Sequence, residues 1–118
     1  MWLFTQDGFL SIVRHRDDPE VLLVRARDRA SLEEFGAKVG LPAAEIVTLP
    51  ETDYRYRIVC GDGAVLSFLA QTVRELDYPN FKARVSQTRG PRWHSLLLRI
   101  WSATRSLQAS EARSGSDG

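Results

Sequence analysis

The chain has 118 residues, 43% of them hydrophobic and 26% charged, which suits one domain with a real core; no apolar run approaches the roughly 18 residues that cross a bilayer. Its single cysteine, Cys60, excludes an internal disulfide and any multi-cysteine zinc site. Formal net charge is only +1, yet residues 1 to 77 carry nine basic against thirteen acidic side chains and residues 78 to 118 carry seven against two.

In chain order, Trp2 to Gln6 reads as a short strand and Asp7-Gly8 as a hairpin turn. Met1 to Phe4 is apolar but has no basic segment before it and meets Gln6-Asp7-Gly8 at once, so it does not read as a secretory signal, and a cytoplasmic location is expected. Phe9 to Arg16 is the returning strand, with Phe9, Ser11, Val13 and His15 on one face and Leu10, Ile12, Arg14 and Arg16 on the other. Asp17-Asp18-Pro19 turns the chain into a third strand, Glu20 to Arg27. Ser31 and Glu34 form a capping-box pattern that starts a helix over 31 to 39, closed by Gly40. A brief strand over Glu45 to Leu49 and a clearly alternating one over Tyr54 to Cys60 follow. Asp62 then caps a helix whose apolar stripe is Val65, Phe68, Leu69, Thr72, Val73 and Leu76. Beyond the linker at Tyr78-Pro79-Asn80 come a short helix to about Gln87 and a longer one lined by Trp93, Leu96, Leu97, Ile100, Trp101, Thr104 and Leu107. Residues 109 to 118 are small and polar and read as a disordered tail behind a single domain of residues 1 to 108.

This order, three strands, a helix, two strands and three helices, defines an α+β class: a mostly antiparallel sheet of about five strands with helices packed mainly on one face. A ferredoxin-like topology can be embedded in it.

Four strings, MWLFT, VRAR, DYRYRIV and LDYPNFKARV, span residues 1 to 85. Together they resemble a small, uncharacterised family of bacterial proteins with the pattern MWLFT…VRAR…DYxxRI…DYxNFK. The resemblance implies no activity, cofactor or partner and transfers no functional residue.

Catalytic chemistry has few carriers. Only His15 and His94 offer imidazoles and only Cys60 a thiol, and Cys60 ends an apolar strand where a small buried hydrophobe is the commoner role. His15-Arg16-Asp17-Asp18 is a poor metal set, because strand neighbours diverge and two nearby arginines oppose a cation. Asp28, Asp53 and Asp77 could converge as a carboxylate nuclease, but aspartate at element ends is first a turn and cap residue. Gly61-Asp62-Gly63 lacks the lysine and spacing of a phosphate loop. A non-enzymatic protein without metal or cofactor is expected.

The arginines say more. Arg14 and Arg16, Arg25 and Arg27, and Arg55 and Arg57 are pairs that each share a strand face. Aligned on an uncovered side, with Lys82, Arg84, Arg89 and Arg92 from the carboxylate-free stretch, they would offer guanidinium groups to the phosphates of a nucleic acid or nucleoprotein. A competing reading pairs them with Asp17, Asp18, Glu20, Asp28, Glu51 and Asp53, and the shared parity of Val21 and Leu23 with Arg25 implies that part of that surface is covered. Parity also puts Tyr54 and Tyr56 opposite Arg55 and Arg57, against the helices, which argues against a base-stacking sheet of the RRM kind. The alternative function is a protein-binding adaptor or inhibitor, or a homodimer, using Trp2, Phe4, Trp93 and Trp101. No membrane partner is expected.

Overall fold

The computed structural model describes residues 1–76 and 89–116. The chain divides into two compact units, residues 1–81 and 82–118.

The first unit is built on strands β1 (Trp2–Thr5), β2 (Gly8–Arg14), β3 (Leu22–Ala26), β4 (Val47–Thr48) and β5 (Tyr56–Cys60), with helices α1 (Arg29–Val39) and α2 (Asp62–Arg74). The sheet runs β1-β2-β3-β5-β4, and each neighbouring pair is antiparallel. The first three strands form the meander that the Asp7-Gly8 and Asp17-Asp18-Pro19 turns dictate. Because β3 and β4 are both antiparallel to β5, they are parallel to each other with β5 between them, so β3-α1-β4 is a split βαβ unit. The ferredoxin-like layout is embedded to that extent, and the strand on the outer side of β3 is β2, which precedes the unit in the chain.

Alternation decides which face is covered. Leu10 and Ile12 on β2, Val24 and Ala26 on β3, and Ile58 and Cys60 on β5 form one core with Leu32 and Phe35 of α1 and Val65 and Phe68 of α2. Phe35 and Phe68 meet edge to face with ring centroids 5.1 Å apart. Burying each such side chain contributes about 1.5–3 kcal/mol, and together they fix both helices to one side of the sheet.

Helix ends show local corrections to the sequence reading. Asp28, not Ser31, is the N-cap of α1: its carboxylate accepts the Ser31 N–H at 3.3 Å and the Ser31 hydroxyl at 2.7 Å. Gly40 ends the helix in the left-handed conformation at φ 77°, as its position after Val39 suggested. Gly61 occupies the cap position of α2 and Asp62 is its first residue. The buried stripe of α2 is Val65 and Phe68 with Leu69 packed beside them, whereas Val73 and Leu76 are exposed.

In the second unit, α3 (Pro91–Ser116) is a 26-residue helix. It begins after Gly90, whose φ of 85° breaks the backbone, and Pro91 suits the first turn because its missing N–H would lack a partner there anyway. The helix extends to Ser116, into the stretch from residue 109 that composition suggests as a tail. The linker and short helix expected over 78 to 87 lie outside the described residues.

Candidate functional site

With the helices of this unit on one side, strand alternation sends the remaining side chains to the other, and the register places them in rows. One row reads Trp2, Ser11, Arg25, Arg57, Val47 across five strands. A neighbouring row reads Val13, Leu23, Val59, and on the opposite flank Phe4 faces Phe9.

At the centre, Arg25 and Arg57 are direct cross-strand partners. Like charges placed opposite one another oppose sheet formation, so their company must come from elsewhere. Arg25 donates to the Ser11 hydroxyl at 2.8 Å, and its guanidinium carbon lies 4.5 Å from the centre of the Tyr54 ring. Arg57 donates to the Tyr54 carbonyl at 3.1 Å. Neither pairs with a carboxylate of the described residues, and the Nε of each is buried without a hydrogen-bond partner. Two half-buried cations thus share the middle of the face with donor capacity unused.

Tyr54 corrects the parity argument. The strand begins only at Tyr56, so the alternation that would turn Tyr54 toward the helices does not extend to it. Its ring, 5% exposed as a residue, lies under Arg25 and Arg27 and 6.3 Å from Phe9. Phe9 stacks on Phe4 at 4.3 Å and meets Trp2 edge-on at 6.0 Å. The guanidinium pair therefore borders a connected aromatic strip that ends in Trp2, which is 70% exposed.

The other predicted arginines go elsewhere. Arg14 shares the helix-side parity of Leu10 and Ile12 and forms an ion pair with Asp62 at 2.6 Å. Through hydrogen bonding to Arg14, the Asp62 carboxyl is held below the usual carboxylate range, and the Arg14 guanidinium is correspondingly raised. Arg27 is on the open face but spends its charge on Asp53 at 3.2 Å. Arg16 lies past the end of β2 and Arg55 before the start of β5, both exposed. Arg89 and Arg92 belong to the second unit, where Trp93 is half-buried and Trp101 exposed beneath Arg105, whose guanidinium carbon is 5.3 Å from the ring centre. Lys82 and Arg84 lie outside the described residues.

The candidate catalytic groups do not assemble. Cys60 belongs to the helix-side core, where burial and then the Asp62 charge push its thiol up and away from thiolate character. His15 lines the opposite side of the sheet with Leu23, Arg57 and Val59. Its Nδ1 accepts the backbone N–H of Asp17 at 3.1 Å and of Asp18 at 3.2 Å, a turn-closing role. Asp28 is engaged in capping and Asp53 in its ion pair, while Asp77 lies outside the described residues. Among the described residues, no group of three or more His, Cys, Asp or Glu side chains could hold a metal ion, and no helix is long and apolar enough to cross a membrane.

One ionic cluster is structural. Lys38 at the end of α1 reaches Asp7 in the β1-β2 turn at 2.6 Å and Glu75 beyond α2 at 2.5 Å, and Gln6 donates to the same Glu75 oxygen at 2.9 Å. Burial pulls the Lys38 ammonium down, but its hydrogen bonds to Asp7 and Glu75 outweigh it and hold the group above its usual value.

Compared with known proteins, the chain matches no family profile, no curated protein and no solved structure.

Proposed function

We propose that this protein is a non-enzymatic interaction module that binds nucleic acid through the open face of its sheet. The observation that carries the reading is the Arg25-Arg57 pair: two adjacent guanidinium groups that pair with no carboxylate among the described residues, beside an aromatic strip. Guanidinium forks match phosphate oxygens, and aromatic faces accept bases without demanding sequence. The contributing arginines are narrower than composition suggests, since Arg14 and Arg27 are neutralised within the fold.

Fluorescence anisotropy of a labelled oligonucleotide against salt concentration tests the reading. Binding should weaken steeply with salt, by about 0.7 in the logarithmic slope for each phosphate neutralised on a single strand. Arg25→Gln with Arg57→Gln should flatten that slope, and Arg14→Gln should not. Equal slopes for all three proteins would remove the open face from consideration.

A second reading has its own observation. Trp2 is 70% exposed, and Val47 and Val59 on the same face are 50% and 46% exposed, as an adaptor surface or a homodimer contact would require. That association would tolerate salt, appear in sedimentation as a mass above the monomer or with a protein partner, and be lost in Trp2→Ala.

A further inference from the structure

Toward the β4 edge, the open face sinks into a depression of about 520 Å³, open to solvent on one side and lined by His15, Leu23, Glu45, Val47, Arg57 and Val59 among others. Its size falls within the range of about 300–1,000 Å³ typical of small-molecule sites. Leu23 and Val59 are cross-strand partners, and Val47 is the partner of Arg57, so three aliphatic side chains and one guanidinium come from a rigid sheet. Glu45 closes the short turn Ala43–Glu45 just before β4 and adds an acceptor. Since His15 Nδ1 accepts two backbone N–H groups, its Nε2 carries the ring proton and adds a donor.

An aliphatic lining, a polar rim with one donor and one acceptor, and the Arg57 guanidinium, with Arg25 as its cross-strand neighbour just outside the lining, make a composite that few ligand classes satisfy. Inorganic phosphate would use only the arginines, and an apolar peptide side chain would leave both arginines unmatched. A nucleotide uses all three: a flat base against the aliphatic lining, its edge toward Glu45 and His15, its phosphate on Arg57 and Arg25. A base paired inside a duplex presents neither face nor edge in this way, whereas an unstacked base in a single strand presents both. We infer that the depression is a base pocket, taking one unpaired nucleobase of a single strand whose adjoining phosphate sits on Arg25 and Arg57. This rests on the nucleic-acid reading of the open face and narrows it to single strands.

The test combines two measurements on the full chain. In ¹H–¹⁵N spectra, adenosine, guanosine, cytidine and uridine 5′-monophosphates are titrated one at a time against inorganic phosphate. The nucleotides should shift the amides of Leu23 and Val59, and phosphate only those near Arg25 and Arg57, Val47 among them. In anisotropy, an unstructured oligonucleotide should bind more tightly than a duplex of the same length, and Val59→Trp, which fills the depression from an exposed position, should weaken single-strand binding about tenfold or more. Val47→Trp repeats the block from the edge strand should the first variant unfold. If Val59→Trp and Val47→Trp bind the single strand like the parent, or the duplex binds as well as the single strand, the base pocket falls while the nucleic-acid reading stands. Nucleotides that shift no more than phosphate does would overturn the pocket equally. If no oligonucleotide binds at low salt, both fall together.

Discussion

Gly8 illustrates how a single backbone position joins the sheet to its first helix. Its φ of 132° lies where side chains are strained, and a Cβ there would come within 2.1 Å of the Ser31 hydroxyl oxygen. That hydroxyl accepts the Phe9 N–H at 3.3 Å and donates to Asp28, so it cannot retreat without breaking the cap of α1. Gly8→Ala should therefore destabilise the fold by about 1–3 kcal/mol or more, whereas Gly63→Ala, inside α2 where a Cβ meets open space, should not destabilise it; denaturant unfolding separates the two. Cys60 makes a second residue-scale prediction. Buried, with its thiol pushed up by desolvation, it should resist iodoacetamide at neutral pH and react at once in denaturant. The inward role of Cys60 was legible, because strand parity with Ile58 and an apolar neighbourhood sufficed. Tyr54 was not: the parity rule presumes a strand, and the chain bends before it becomes one. Nothing in the spacing of Tyr54 announces a ring that lies under Arg25 of β3 and Arg27 just past its end.

Elements were easier to read than their ends. The meander, both amphipathic helices of the first unit and the strand before Cys60 follow from periods of two and 3.6 in the sequence. Asp28 and Ser31 both satisfy a capping pattern, and the spacing alone does not distinguish them; in the structure Asp28 caps the helix and Ser31 lies in its first turn, bonded to that cap. Likewise, Arg14 shares its spacing with Arg16 just as Arg25 does with Arg27, but β2 turns its odd-numbered residues outward, so Ser11 rather than Arg14 meets Arg25. The ionic contacts between elements carry pH signatures. The Asp62 carboxyl is lowered by Arg14, so its contribution is complete above the usual carboxylate range and disappears as pH falls through the lowered value. Asp62→Asn should therefore lower stability modestly at neutral pH, and the difference from the parent should vanish in acid as the parent's own carboxyl is protonated, flattening the acid limb of the stability-pH profile. Lys38 has the opposite sign: its raised value makes its contribution complete below the ordinary lysine range and lost as pH climbs through that raised value. Lys38→Met leaves Asp7 and Glu75 without their shared cation and should cost about 1.5–3 kcal/mol at neutral pH, measured by thermal or denaturant unfolding.

For the molecule as a whole, the charge imbalance between the two halves of the sequence puts the excess of cations after residue 77, yet the Arg25-Arg57 pair lies in the acidic half. Net charge was thus a poor guide to location, because what matters is which cations the fold leaves without carboxylates. Among the described residues, Arg14, Arg27, Arg29 and Lys38 are neutralised by Asp62, Asp53, Glu33 and the Asp7-Glu75 couple, and Arg25 and Arg57 pair with no carboxylate.

The cross-strand placement of those two arginines has a thermodynamic corollary. Evolution toward stability alone would not retain two opposed cations in the middle of a sheet, where aliphatic pairs such as Leu23 with Val59 are available one row away. Arg57→Val should accordingly unfold at an equal or higher temperature than the parent while losing oligonucleotide affinity, and phosphate or oligonucleotide should raise the melting temperature of the parent but not of the variant. A lower melting temperature in Arg57→Val would make the pair part of the scaffold. The opposite result would mean that the fold gives up stability at this one position to keep a place for an anion.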